Sequence, residues 1–404
     1  MTVSNEQHEK LDLLFVVGFD AENEAVFETY IDEKVPLIAS SFCWGDKAYV
    51  FVGALDNSLI QIFLQFDRDT QPFRTLRFTE EGRFKTDDPV AMFQKITLHK
   101  LGLFCAGSDD IVRLITFDNQ EGTSSEASNI TDLLDVNSIL STILFNVNYN
   151  QLLVCSMRGI DVFDVTNMEQ KQSTLAPNAT GKIIDLCILS PANQLIVSAR
   201  DSGALEAWSI ADGSRKFITH INDQVINHLI CSPVLPIVIV TSSTGYFYFF
   251  QVNSDNFRLI QRIRIHSDDI RCIKFNPNGK ILVSVGADNS LFIMEIRANQ
   301  TSLENIFQII YRTDIDGDPF ALDLEDFDRH RVNRDVDDQQ SPGESSDDLL
   351  PTNKEKCSDT RIIIALNSKT EKFGRFLIVD FDWQQYQGEK ETFHSFRISS
   401  LYLF

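Results

Sequence analysis

The sequence is short of basic residues: 36 Lys+Arg stand against 58 Asp+Glu, for a formal charge of -22. Phosphate backbones and anionic headgroups repel a chain of that sign. A nonspecific nucleic-acid binder and a peripheral membrane binder are therefore disfavoured, and a basic protein segment is the partner its field attracts. A long apolar span is missing as well. The most apolar window, 225–242, is interrupted by Asn227, His228, Pro233 and Pro236, so it falls short of the roughly 20 apolar residues of a membrane helix. It reads as two buried strands and a turn. The opening stretch MTVSNEQHEKLDLLF has no basic segment ahead of its short apolar run and no small-residue cleavage site, so secretion is not indicated.

Paired cysteine spacings are also lacking. Cys43, Cys105, Cys155, Cys187, Cys231, Cys272 and Cys357 are odd in number, form no CxxC, and lie, all but one, in apolar strand-like runs. That pattern predicts reduced, buried thiols in an intracellular protein. The sequons at Asn129, Asn178 and Asn299 then have no route to glycosylation. No GxxxxGK[ST] loop, GxSxG elbow or HExxH helix occurs, and the histidines at 8, 99, 220, 228, 266, 330 and 394 are dispersed singly. Paired acids such as Asp109-Asp110 and Asp268-Asp269 stand at turns, where carboxylates receive backbone N–H groups. No catalytic residue, metal site or cofactor is expected.

What the chain does contain is strands. Runs of five to eight residues rich in Val, Ile and Phe recur between clusters of Gly, Asn, Asp and Ser. In 266–296, HSDDIRCIKFNPNGKILVSVGADNSLFIMEI, three such runs are joined by turns at Asn276-Pro277-Asn278-Gly279 and Ala287-Asp288-Asn289-Ser290, a three-strand meander. Copies recur at 181–210 and 224–252, and fainter ones at 41–63, 93–117 and 143–165. Aligning the third strand of each copy places Ile62, Ile115, Phe163, Trp208, Phe250 and Met294 in register, at spacings of 53, 48, 45, 42 and 44 residues. A period in the forties with several short strands per unit predicts an all-β propeller. Each blade exposes two apolar faces that only its neighbours cover.

These residues resemble the WD-repeat family. His266 ahead of the first strand, Ser284 in the second and Asp288 at the second turn match the family's blade-bracing tetrad, with Met294 where Trp is usual and Ile265 where Gly precedes the His. Trp208 is retained in an earlier copy that has Ser202 at the Asp position. The resemblance implies that His266, Ser284, Asp288 and Trp208 brace their blades by hydrogen bonds. The Phe-rich, divergent copies and the 266–296 blade are similar to the WD-repeat regions of cilia- and flagella-associated proteins, which implies an axonemal or cytoskeletal role.

Arg361 to Leu366 and Arg375 to Phe381 read as two strands of a seventh blade, with a first strand around Phe320 to Leu324. Phe381 lies 87 residues after Met294, twice the period, so an insertion of about forty residues separates them. Leu13 to Phe19 and Ala25 to Tyr30 read as a hairpin, one strand of which closes the ring by pairing the two chain ends. About seven blades are expected, with an eighth built from both termini as the alternative. The expected divisions are a disordered stretch 1–11, blades over 12–313, an acidic and largely disordered insertion 314–359, and a closing blade over 360–404. The apolar C-terminal run FRISSLYLF reads as part of a longer protein.

The insertion holds 15 Asp+Glu and 5 Lys+Arg, and disorder is predicted from about Asp328 to Asp359, where large apolar side chains are few. It is either a tolerated surface loop or a docking segment for basic partners, with Ser341, Ser345 and Ser346 in acidic or proline-directed surroundings that suit phosphorylation. Asp314, Asp316, Asp318 and Glu325 have calcium-loop spacing, but Pro319 occupies the position that needs Gly, so they read as an acidic turn into a strand. One basic feature stands out. Arg262, Arg264 and His266 alternate with Ile263 and Ile265, which places the three on one face of an edge strand. They either protect that edge or form a contact ridge for an acidic partner or for the acidic insertion. The run Tyr246 to Phe250 reads as core.

Together these features predict a non-catalytic scaffold for protein partners, intracellular and cytoplasmic, at the cilium or cytoskeleton, binding neither nucleic acid directly nor membrane. A nuclear chromatin or replication adaptor is the alternative, and a propeller enzyme with a central-channel site is a third reading without a motif behind it.

Overall fold

The computed structural model describes residues 99, 101–116, 131–136, 138–146, 150–168, 171–175, 181–189, 195–221, 225–253, 255–297, 306–319, 322–324, 360, 362–364, 366, 377, 379 and 381, and elsewhere strand backbone alone. Among the described residues the strands pair into seven four-stranded antiparallel sheets, over 36–85, 93–135, 140–175, 183–220, 226–264, 270–314 and 318–402, here sheets one to seven. A three-stranded sheet of Thr2–Val3, Leu13–Phe19 and Ala25–Asp32 precedes them. Each sheet is a meander whose strands lie in sequence order, as the repeat pattern predicts. The chain divides into two compact units, 1–20 with 25–269 and 21–24 with 270–404.

The repeat is written in the pairing register. In sheets one to six the pairing of the first strand with the second shifts right after the first strand's opening residue, at Pro36, Phe93, Leu140, Ile183, Ile226 and Ile270, and in sheet seven it shifts after the second residue, Pro319. Five of the third-strand residues aligned by sequence pair with the second residue of the second strand, Ile115 with Leu103, Phe163 with Leu152, Trp208 with Ile196, Phe250 with Val238 and Met294 with Leu282, while Ile62 pairs with Val50, the fourth residue of the longer strand Lys47–Ala54. Phe381 pairs with Thr360, again the second residue of its strand. In sheets one, three, four, five and six a second shift, between the third and fourth strands, falls right at that residue. A bulge of this kind bends the strand and sharpens its twist.

Burial follows strand position. Leu195–Arg200, Ile237–Ser242 and Ile281–Gly286, all second strands, are buried at every residue, whereas the fourth strand Arg215–His220 has no buried residue. Strands covered on both faces carry continuous apolar runs instead of alternation, which is why the sequence shows runs. The core clusters each draw on two consecutive sheets: two with three, three with four, four with five, and six with seven. Polar ties join the same neighbours. The Leu140 N–H donates to Asp110 at 3.0 Å and the Leu229 N–H to Asp185 at 3.0 Å. In the second unit Asn276 Nδ2 donates to Thr360 Oγ1 at 3.1 Å.

Window 225–242 forms Ile226–Cys231, a turn and Ile237–Ser242, as expected. Leu13–Phe19 and Ala25–Asp32 form the expected hairpin, and Thr2–Val3, within the stretch expected to be disordered, pairs with Leu13 and Leu14. The seventh sheet is built from Asp318–Phe327, Asp359–Asn367, Arg375–Phe381 and Phe396–Tyr402. Its fourth strand therefore comes from the chain's own C-terminal segment, where the sequence predicted an N-terminal strand. Phe396–Tyr402 pairs along its whole length with Arg375–Phe381. Residues 314–327, counted with the acidic insertion on charge, form the end of Phe307–Asp314, a turn and the strand Asp318–Phe327, because Leu322 and Leu324 alternate with the acids and are buried. The remainder, 328–358, with Ser341, Ser345 and Ser346, lies outside the described residues.

The cysteine expectation needs correction. Cys187 and Cys231, on the first strands of sheets four and five, form a disulfide with a Cα–Cα distance of 6.0 Å. Their separation of 44 residues matches the repeat, so the pairing arises from the stacking of neighbouring repeats and leaves no local spacing signature. Cys105 and Cys155 are free and buried, and Cys272 is free and half-buried.

Candidate interaction surface on the fourth strands

The tetrad residues are placed as follows. Trp208 is buried, and its Nε1 donates to Ser198 Oγ at 3.3 Å, bracing the second and third strands of sheet four. Ser284 is fully buried in sheet six. The Asp288 carboxylate accepts from the Ser290 hydroxyl at 2.6 Å and the Ser290 N–H at 3.2 Å, closing the turn before the third strand. His266 belongs to the first unit, is 1% exposed, stacks on Phe247 at 6.3 Å, and sends its backbone N–H to the Gly245 carbonyl at 3.3 Å. It therefore does not join Arg262 and Arg264 on the exposed face. Strand Phe257–Arg264 ends before it, and two-residue alternation holds only while the chain stays extended.

A set of braces that no motif marks lies two residues before each aligned third-strand position. Arg113, Asp161, Glu206, Tyr248 and Phe292 hold that place in sheets two to six, and each finds a partner on the fourth strand. Arg113 Nε lies 2.8 Å from Asp132, and its other nitrogens grip Asp109. Burial works against that guanidinium, yet the Asp109 and Asp132 carboxylates hold its pKa above the ordinary value. Asp161 accepts from Thr174 Oγ1 at 2.6 Å and pairs with Lys171 at 3.3 Å. Glu206 reverses the signs of sheet two, with Arg200 at 2.7 Å and Arg215 at 3.2 Å. In sheets five and six the brace is a cation over a ring: Arg262 over Tyr248 at 5.5 Å and Arg312 over Phe292 at 5.3 Å.

The Arg262 guanidinium also lies 4.4 Å from the centre of the Tyr246 ring, and Arg264 5.9 Å from the same ring. Two groups of Arg264 are tied down, Nε to the Thr244 carbonyl at 3.0 Å and Nη2 to the Ser267 carbonyl at 2.7 Å. Both arginines are exposed. Burial raises the Tyr248 pKa despite the cation beside it, so the phenol keeps its proton. The run Phe247 to Phe250 is buried, as a core strand should be. The bulge at Phe249/Phe250 sets Leu259 opposite Phe250 while Arg262 and Arg264 stand opposite Tyr248 and Tyr246. One face of the strand thus presents Leu259, Arg262 and Arg264 together, although 259 and 262 differ in parity. Phe257, at the start of that strand, packs edge-on against Phe217 of sheet four at 4.8 Å.

An opening of about 460 Å³ lies between the fourth strand of sheet two and sheet three. Leu134, Val136 and Phe163 give it apolar walls, and Asp135, Arg158 and Lys171 polar ones. Among the described residues no group of three or more His, Cys, Asp or Glu side chains is disposed to hold a metal, and no helix is long and apolar enough to cross a membrane.

The family model "WD domain, G-beta repeat" matches residues 257–293, which run from the fourth strand of sheet five into the third strand of sheet six. Over 292 residues the chain is 24% identical to the Cilia- and flagella-associated protein 43 of Xenopus laevis, covering 70% of this chain and 17% of that protein. The Mus musculus protein of the same name is 19% identical over 294 residues, with 72% and 17% covered. The chain thus spans about a sixth of the length of the curated relatives it matches. Among solved structures, a chain from a crystal structure of the mitotic checkpoint complex superposes with a TM-score of 0.50 at 14% identity, covering 71% of this chain and 85% of that one. The match shows one WD repeat at 257–293, and the superposition shows that the four-stranded sheets have the fold of β-propeller blades.

Proposed function

We propose that this WD-repeat chain is a non-catalytic scaffold that joins protein partners within a ciliary or cytoskeletal structure. The observation that carries the reading is the likeness, over about 70% of the chain, to proteins named for cilia and flagella. The sheets support it, since their braces of ion pairs and ring-stacked cations fix the blades while leaving polar side chains on the fourth strands for contact. Arg262 and Arg264 are the proposed contact residues on the described surface. The acidic span 328–358 is the proposed contact for basic partner segments, with Ser341, Ser345 and Ser346 as phosphorylation sites that deepen its charge. The test is localisation of the tagged full-length protein in ciliated cells, followed by affinity purification with and without the acidic span. Signal along the axoneme or at basal bodies is expected, with loss of basic partners on deletion. A nuclear signal with none at cilia overturns the reading in favour of a nuclear adaptor.

A further inference from the structure

We infer that the face carrying Leu259, Arg262 and Arg264 binds an acidic peptide in extended conformation, with carboxylates at alternate residues meeting the two guanidiniums. The inference rests on the reading of this strand as a contact surface and names the partner's chemistry. Charge is the first argument. On the fourth strands of sheets three and four, Lys171, Arg215 and Lys216 each reach a carboxylate. Arg262 and Arg264 have none among the described residues, in a chain of formal charge -22. Preorganisation is the second. Arg262 is held over the Tyr246 ring, and two groups of Arg264 are held by turn carbonyls, so both guanidiniums are placed before a ligand arrives and little rotamer freedom is lost on binding.

Spacing is the third argument. Arg262 and Arg264 are two residues apart on a strand, about 6.8 Å, which is the repeat of same-side side chains on an extended peptide. Leu259, 48% exposed on the same face, offers an apolar contact at the end of the row. Along its other edge, strand Phe257–Arg264 pairs with no strand among the described residues, so its outward N–H and C=O groups are available to an added strand. The arginines repel cationic edges and reward acidic ones, so the charges that protect this edge also select its partner. A peptide is favoured over nucleic acid because a continuous polyanion meets the negative field of the whole chain, while a peptide presents its few carboxylates locally.

The experiment is fluorescence anisotropy of the intact chain with a fluorescein-labelled peptide of alternating Glu and Thr, against the same peptide with Gln for Glu. Saturable binding is expected for the Glu peptide alone. It should weaken by about tenfold or more in Arg262→Ser/Arg264→Ser and as salt rises from about 0.05 to 0.5 M, and stay unchanged in Lys216→Ala. Arg262→Lys keeps the charge but loses the guanidinium over the tyrosine rings, and an intermediate loss is expected from it. Equal binding of the Gln peptide, no saturable binding, or undiminished affinity in both arginine variants overturns the inference. So does an oligonucleotide that displaces the peptide at lower concentration. Localisation decides the scaffold reading separately: a ciliary protein indifferent to the Glu peptide sinks only this inference, and a binder absent from cilia sinks only the other.

Discussion

Arg113 and Asp132 stand directly opposite each other on the third and fourth strands of sheet two, 2.8 Å apart, and Glu206 occupies the corresponding place in sheet four with the charges exchanged. The repeats therefore conserve a place for a cross-strand brace while varying its chemistry. Arg113→Met should strand Asp109, only 6% exposed, without its cation. The loss of a partner for a buried charge costs about 3–5 kcal/mol, to be read as a fall in the urea midpoint at constant slope. Asp132, 58% exposed, is expected to matter far less: Asp132→Ala should cost within about 1 kcal/mol. Equal effects of the two substitutions would refute the assignment of Asp109 as the buried partner.

The Trp208 brace makes a finer prediction. Trp208→Phe keeps most of the packing in the cluster between sheets three and four but removes the donor to Ser198, for a loss of about 0.5–1.5 kcal/mol. Ser198→Ala should cost a similar amount, and the double variant less than the two together, because each single change already breaks the same bond. Strict additivity in chemical denaturation would show that the two side chains do not depend on each other.

The repeat spacing and the turn chemistry made the sheets readable in advance. Six aligned apolar positions, from Ile62 to Met294, fall on one register line in the structure, because covering both faces of the third strand demands an apolar residue there whatever else changes. Trp208 and Ser284 were recognisable because a family pattern marks them. Arg113, Glu206 and Arg200 were not, since a buried charge carries no sequence signature apart from its partner, and the partners sit on other strands. The ridge was half readable. Alternation brought Arg262 and Arg264 to one face, but it also enlisted His266, which lies past the strand end, and it missed Leu259, which a bulge rotates onto that face.

Gly245 offers a test of how tightly the turn before Tyr246 is built. Its φ is +82°, and a Cβ there would fall 2.1 Å from the His266 carbonyl oxygen, a backbone atom that cannot step aside. Gly213, at φ +67°, would meet nothing closer than Leu175 at 3.6 Å. Gly213→Ala should therefore cost only the left-handed strain, about 1–2 kcal/mol, and Gly245→Ala distinctly more, because the clash adds to the strain. Thermal unfolding of the two variants side by side gives the comparison. A Gly245→Ala protein no less stable than Gly213→Ala would mean that the turn yields.

The thiols divide by environment. Burial pushes the Cys155 pKa up to about 12 and drives Cys105 higher still, while Cys272, half-buried, is raised for the same reason. A pKa raised on folding means that the native state favours the protonated thiol. Cys155 therefore contributes stability in full below its unfolded value near 9, and that contribution is lost as pH climbs towards 12. At pH about 8, alkylation followed by peptide mass spectrometry should find Cys272 modified well before Cys155 or Cys105, since the thiolate is the nucleophile. Cys187 and Cys231 should resist until a reductant opens their bond. Closing a loop across 44 residues constrains the unfolded chain, so reduction, or Cys187→Ser with Cys231→Ser, should lower stability by about 4 kcal/mol. Labelling of Cys187 and Cys231 in the unreduced protein at the rate of Cys272 would show that the two repeats are not stapled in solution.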